Sequence, residues 1–294
     1  MSDYAAFGVL QTPKIGIIMK GENMVTITDK EFNQLSEYIK SNYGIFLKKE
    51  KKTLVLGRLH TVLDNKQFNN FSDYFKYIIS DNSGDAATTL LNHITTNHTF
   101  FMREAIHFDY FRDKVLPYLA NTVNKKDLRI WCAACSSGEE AYTLAMVIDE
   151  FFGEKKQGWD TKVLATDISE RILNIAKKGI YSSERIAPLP SQWKINYFKK
   201  YDTNNYILTD KIRSEVIYRK FNLKETAFPF KRRFHVIFCR NVMIYFDEQT
   251  KRELVNKFYD IIEDGGYLFI GHSEALCMED TRFKYIMPSI YRKE

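Results

Sequence analysis

Cysteine is scarce in this 294-residue chain. Cys132, Cys135, Cys239 and Cys277 are too few to staple a protein of this size, which excludes a disulfide scaffold and favours a reducing, cytoplasmic compartment. Proline and glycine are sparse too, at 6 and 13 residues, which excludes collagen-like and low-complexity chains. No run approaches the roughly 20 consecutive apolar residues of a membrane helix, so no membrane insertion is expected. The N-terminus carries Asp3, lacks a basic start, and has its apolar stretch broken by Gln11, Pro13 and Lys14, a poor secretory signal. Neither sign of charge dominates. Lys and Arg number 43 against 37 Asp and Glu, and a net of +6 permits an acidic partner without demanding nucleic acid. What is plentiful is core material: 45% hydrophobic and 15% aromatic residues exclude wholesale disorder.

Residues 1–24 show no sustained period and read as a loose leader. Thr28-Asp29-Lys30-Glu31 then forms a capping box, followed at helical spacing by Phe32, Leu35 and Ile39, and closed by Gly44. Further helical spacings recur through Leu59, Phe75 and Leu90, so residues 25–100 are expected to form a small all-α domain. A helix is expected from about Glu104 to Leu119. Residues 101–294 are expected to form the second domain, and past that helix the grammar changes. Leu128–Cys132 reads as a strand, Glu139–Phe152 as a helix, Lys162–Thr166 as a strand, and Ser169 caps another helix. This β-α-β-α order indicates a parallel sheet covered by helices. Phe234–Cys239 is apolar throughout, as a strand buried on both faces must be. Between them, residues 181–221 read as an inserted antiparallel β-subdomain, with Tyr206–Leu208 and Val216–Tyr218 as its strands.

Trp131-Cys132-Ala133-Ala134-Cys135 admits a thioredoxin-like redox reading, since C-x-x-C follows a strand and precedes a helix. Ser136-Ser137-Gly138 holds the thiols off that helix, and Glu139 and Glu140 disfavour thiolate. The competing reading is the first βα turn of a nucleotide-type fold. There, small side chains let a ligand approach the backbone, and Asp167, closing the second strand, accepts from ribose hydroxyls. The turn is not G-x-G-x-x-G, and two carboxylates opening the helix oppose a phosphate. They suit a ligand with a ribose and a cationic amine, and S-adenosylmethionine has both. The six histidines show no metal spacing, so no metal is expected.

Four stretches together resemble the chemotaxis receptor glutamate O-methyltransferases, the CheR family. They are Asn97-His98-Thr99-Phe100-Phe101-Met102-Arg103-Glu104, Ser136-Ser137-Gly138-Glu139-Glu140-Ala141-Tyr142, Phe238–Phe246, and Gly271-His272-Ser273-Glu274. The resemblance covers roughly Thr28 to Tyr291. It implies a Rossmann-like S-adenosylmethionine-dependent α/β methyltransferase domain carrying a small antiparallel β-subdomain, preceded by the all-α domain. It implies cofactor contacts at Asn97, Thr99, Arg103, Glu140, Asp167, Asn222, Leu223, Arg240 and Asn241, with Arg103 and Tyr245 near the transferred methyl. The product would be S-adenosylhomocysteine. The partner would be the cytoplasmic methylation region of chemotaxis receptors, met transiently at receptor arrays. Lys48, Lys49, Lys51, Lys52 and Arg58 form a basic run suited to docking an acidic substrate region. Members that tether to a receptor's C-terminal pentapeptide carry a glycine-containing loop in the β-subdomain. Here Lys199–Tyr206 has no glycine, so no tether is expected. A nucleic-acid methyltransferase is the competing enzyme class. The place of its proline-rich turn is taken by Arg240-Asn241-Val242-Met243, and nucleic acid is not an expected partner.

Overall fold

The computed structural model describes residues 25–96 and 98–294. The 1–24 leader and Asn97 lie outside the described residues. The first domain is four helices, α1 (Asp29–Tyr43), α2 (Lys52–Asn65), α3 (Phe71–Ser80) and α4 (Asp85–Ile94). The capping box forms as the sequence indicates. Thr28 Oγ1 accepts from Glu31 N at 3.2 Å, and Glu31 Oε2 accepts from Thr28 N at 2.9 Å. Gly44 closes α1 in the left-handed region at φ 74°.

The helix expected from Glu104 to Leu119 is broken up. Residues 101–105 are turns, followed by α5 (Ile106–Tyr110), a π-helical turn at Phe111–Val115, and α6 (Leu116–Thr122). Then follow β1 (Ile130–Cys132), α7 (Glu139–Phe152), β2 (Val163–Asp167), α8 (Glu170–Lys178), β3 (Ile180–Ser182), α9 (Ser183–Ile186), α10 (Ser191–Tyr197), β4 (Phe198–Lys200), β5 (Asn205–Leu208), α11 (Asp210–Arg213) and β6 (Val216–Lys220). The chain ends with β7 (Phe234–Cys239), α12 (Glu248–Ile261), β8 (Ile262–Ile270), β9 (Lys284–Met287) and β10 (Ile290–Arg292).

Seven strands form the main sheet in the order β6-β2-β1-β7-β8-β10-β9. The first five are parallel, and β10 and β9 add antiparallel pairings at one edge. Placing β6 here corrects the sequence reading. Val216–Tyr218 does not belong to the inserted lobe: it pairs with Val163–Ala165 at the other sheet edge. The lobe is the three-stranded antiparallel sheet β3-β5-β4 within residues 180–208. Short strands look alike in sequence, and only pairing partners separate them.

Strand alternation divides the core between the two sheet faces. Ile130, Cys132, Val236 and Phe238 pack toward α5–α7 and the lobe. Trp131, Ile237 and Cys239 face the other way, and Phe234 joins them across a register shift between Phe234 and Val236, in a core that continues into the helical domain through Phe32, Leu59 and Leu91. Trp131 stands amid Phe221, Phe228, Phe230, Phe234 and Phe258, with ring centroids 4.8–5.8 Å away. Its indole N–H donates to Thr166 Oγ1 at 3.0 Å, so the large ring is buried without an unmet donor. The helical domain therefore shares a core with the sheet and covers its carboxyl edge.

Candidate active site

Parallel sheets of this type leave a crevice beyond the carboxyl ends of their strands. Four strand ends supply it here. After β1 come Ala133, Ala134 and Ser136; after β2, Ile168 beside Asp167; after β6, Phe221, Asn222 and Leu223; after β7, Arg240, Asn241, Val242, Tyr245 and Phe246. The first turn depends on Gly138, at φ 97°. A Cβ there would come within 2.7 Å of Tyr218 Oη and 2.9 Å of Ala176 Cβ.

Asp167 fixes this turn. Its Oδ2 accepts from Ser136 N at 2.9 Å and its Oδ1 from Ser169 N at 3.0 Å. Burial raises its pKa, and these backbone donors oppose the rise. Asp167 lines the crevice, and a carboxylate oxygen can accept more than one hydrogen bond. Ser136 Oγ is buried without a partner and also lines it. A backbone cradle of small residues, an acceptor carboxylate and an unpaired hydroxyl fit a nucleoside with free ribose hydroxyls.

Arg240 is the cross-brace of the site. Its side chain is wholly buried, with Nη1 donating to Glu140 Oε2 at 2.5 Å and Nη2 to Glu104 Oε2 at 3.1 Å. Nη2 also donates to the Arg103 carbonyl. Arg240 Nε is buried without a partner. Glu140 Oε1 accepts the Cys132 thiol at 3.2 Å. Burial first, then Glu140, pushes the Cys132 thiol well up, and burial with Asp167 does the same for Cys135. Burial and the neighbouring carboxylates thus disfavour the thiolate that a redox site needs.

Glu104 and Glu274 shape the turn after β7, and spacing alone did not single them out. Glu104 Oε1 accepts from Asn241 Nδ2 at 3.2 Å, and its Oε2 from His272 N at 3.1 Å. Burial acts to raise the Glu104 pKa, but Arg240 and the Asn241 amide bring it below the ordinary value. Glu274 Oε2 accepts from Asn241 N at 2.9 Å and Gly271 N at 2.6 Å, and Oε1 from Ile244 N at 3.2 Å. These bonds hold Asn241 at φ 59°. Glu104, His107 and His272 bring potential ligand atoms within 4.8 Å of one another, which linear spacing concealed. The carboxylate is already met by Arg240, and a divalent ion there would stand against a guanidinium; we assign the trio no metal.

The expected site residues are distributed unevenly. Asp167, Asn222, Leu223, Arg240, Asn241 and Tyr245 line one crevice. Glu140 stands behind Arg240. Arg103 and Thr99 are on the loop entering α5, and neither lines the crevice. The Arg103 guanidinium donates to the His98 carbonyl at 2.5 Å. Asn222 is held by both ends of its amide, donating to Asn42 O at 2.8 Å and accepting from Lys224 N at 3.0 Å. Glu139 is turned away: buried, it takes Arg185 of α9 at 2.8 Å and Ser137 Oγ at 2.7 Å, pinning the lobe to the first turn.

Sequence reasoning missed the roof. Tyr43, Ile45, Leu91, Asn92, Thr95 and Thr96 of the helical domain complete the crevice. Ile45 bridges Phe246, and Phe46 N donates to Tyr245 O at 2.7 Å. Proximity to the Asn97 motif was the available signal for Thr95 and Thr96. Of the expected docking residues, Lys48, Lys49 and Lys51 are exposed, while Lys52 pairs with Asp29 at 2.6 Å and Lys49 lies 3.8 Å from the same carboxylate. The half-buried Arg58 instead turns inward to Ile94 O and Thr96 Oγ1.

Comparison with known proteins covers both domains. Residues 30–95 match the CheR methyltransferase all-alpha domain, and residues 97–291 match the CheR methyltransferase SAM binding domain. The chain is similar to the chemotaxis protein methyltransferase of Borreliella burgdorferi, at 40% identity over 92% of this chain and 96% of that protein. It is 34% identical to chemotaxis protein methyltransferase 2 of Vibrio cholerae, over 86% and 88% of the two chains. The chemotaxis protein methyltransferase of Escherichia coli is 31% identical, over 94% of each.

Proposed function

The chain belongs to the CheR methyltransferase family, and from that premise we propose that it transfers a methyl group to glutamate side chains of chemotaxis receptors, forming methyl esters. That it is a methyltransferase using S-adenosylmethionine follows from the match over residues 97–291. The observation that carries the finer reading is the single crevice holding Asp167, Asn222, Arg240 and Asn241, with Tyr245 on its wall and a second domain as its roof. When bound, the cofactor supplies a methyl group already activated on a sulfonium.

The residues have orienting and excluding work to do. A glutamate acceptor, with an ordinary pKa near 4.3, is ionised at neutral pH, so no general base is needed. Asp167 and Ser136 offer acceptors to the ribose. Glu140, one oxygen held by Arg240 and the other by Cys132, is the carboxylate assigned to the cofactor's amine, acting from behind Arg240 and not from the crevice lining. Tyr245 and Phe246 wall the crevice beside the helical roof, which keeps water from competing with the carboxylate. The Tyr245 hydroxyl is occupied by Thr96, so it is a wall and not a proton donor to the reaction. Arg103 is assigned to orient the acceptor carboxylate, which requires its guanidinium to leave His98.

The partner is the cytoplasmic methylation region of the receptors, met by the exposed lysines of the helical domain. The lobe's turn favours no pentapeptide tether. It is tightened by Asp202 Oδ1, which accepts from Asn204 N at 2.8 Å and Asn205 N at 2.9 Å. Among the described residues no helix is long and apolar enough to cross a membrane. The receptor-methylation reading, and not the lack of such a helix, assigns the chain to the cytoplasm, transiently at receptor arrays. The test is incubation with methyl-labelled S-adenosylmethionine and membranes containing chemoreceptors. Base-labile label on the receptor band is expected. Label that resists base, or none on the receptor, would overturn the ester reading.

A further inference from the structure

Arg58 lies within the basic run of α2 yet behaves unlike its lysine neighbours. Its fork is spent on one target: Nη1 donates to Ile94 O at 2.8 Å and Nη2 to Thr96 Oγ1 at 3.0 Å. Ile94 is the last residue of α4, where carbonyls lack helical partners. The guanidinium therefore ends the helix and fixes the first residues of the linker between the domains.

Thr96 passes that constraint on. Its N–H donates to Tyr245 Oη at 3.0 Å, and its carbonyl accepts from the same hydroxyl at 3.1 Å. One phenol is thus gripped by both backbone groups of one residue. Thr95, Thr96 and Tyr245 line the crevice, whereas Arg58 does not. A second tie, from Phe46 N to Tyr245 O at 2.7 Å, fixes the backbone of Tyr245 to the same domain.

We infer that Arg58 is a positioning residue of the transfer site, setting the crevice wall through Thr96 and Tyr245, and that it joins the receptor-facing helix α2 to the chemistry. The kinetic half of this inference rests on the receptor-methylation reading; the binding half does not. Lysine keeps the charge of Arg58 but cannot present two parallel donors to two acceptors. Arg58→Lys therefore separates geometry from electrostatic docking.

The test uses the full chain in two arms. In the first, S-adenosylhomocysteine binding is measured calorimetrically, without receptor, for Arg58→Lys, Tyr245→Phe and the double variant. Each single change is expected to weaken binding about fivefold, and the double no more than the worse single, because both cut one chain of bonds. In the second arm, with a receptor cytoplasmic fragment, Arg58→Lys should lower kcat about tenfold through misplacement of the wall. KM for receptor should move less than about twofold, and the salt dependence of KM should persist. Thr96→Val, which removes one acceptor of the fork and leaves the backbone grip intact, should shift both readouts in the same direction by less. It serves if Arg58→Lys melts early. Additive effects in the double variant, wild-type binding by both Arg58→Lys and Thr96→Val, or a raised KM with unchanged kcat would overturn the inference. If the unaltered chain fails to methylate receptor, the receptor reading falls, and the binding arm still decides the role of Arg58.

Discussion

Arg240 and Glu140, a hundred residues apart in sequence, meet at 2.5 Å with the arginine side chain wholly buried. The guanidinium also holds Glu104, so one cation compensates two carboxylates, one on the loop before α5 and one opening α7. Breaking a buried pair from one side leaves uncompensated charge. Arg240→Met should lower unfolding free energy by about 3–5 kcal/mol in urea titrations and should abolish cofactor binding. A variant with wild-type stability would show that the two carboxylates do not depend on it.

Asp167→Ala should weaken S-adenosylmethionine binding. The ribose loses an acceptor whose hydrogen bond is worth on the order of 1.5–3 kcal/mol, and Ser136 N loses its partner. Calorimetry on the folded variant checks this, and unchanged affinity would remove Asp167 from the ribose position.

Gly138→Ala places a methyl group against Tyr218 Oη and imposes φ 97° on a residue with a side chain. A loss of about 1–3 kcal/mol is expected. Tyr218→Phe removes the oxygen that is struck, so the double variant should recover part of the loss in thermal melts. Recovery should be incomplete, because the positive φ and the Ala176 contact remain.

Stability should fall on mild acidification. Burial holds His107 down to about 3 and His235 down to about 4, against an ordinary 6.5. The unfolded chain gains protons below pH 6.5 that the folded chain refuses. Stability is therefore lost as pH falls from 6.5 toward those values. At pH 5 each histidine costs about 2 kcal/mol relative to pH 7. Urea unfolding of His235→Gln at the two pH values should show a smaller drop than the parent; an equal drop would assign the effect to other groups.

The thiols should divide by position. Cys132, Cys135 and Cys239 are buried with raised pKa values, and Cys277 is exposed. Iodoacetamide on the native protein at pH 8 should add one label, at Cys277, seen by peptide mass. Rapid labelling of Cys132 would revive a redox role.

Reversing the charge of Lys48, Lys49, Lys51 and Lys52 should raise KM for receptor, weaken its salt dependence, and leave cofactor affinity alone. Lys49 and Lys52 already face Asp29, so Lys48 and Lys51 should account for most of the effect. Micromolar binding of an isolated receptor pentapeptide would overturn the absence of a tether.

The sequence by itself determined whatever depends on neighbours along the chain. Thr28 and Glu31 form their capping box because both bonds lie within one turn of helix. Phe234–Cys239 is central because six consecutive buried side chains require cover on both faces. The place of Asp167 at the end of β2 was legible because an apolar strand runs into a helix capped by Ser169. Tertiary structure alone decided what depends on pairing across distance. Val216–Lys220 joined the parallel sheet and not the lobe, a choice between strand partners that local pattern does not encode. Glu104 became the partner of Arg240, Asn241 and His272 only when a loop before α5 met the turn after β7. Arg58 left a run of surface lysines for Ile94 and Thr96, because an interdomain linker offered a fork of acceptors that no spacing of charges announces.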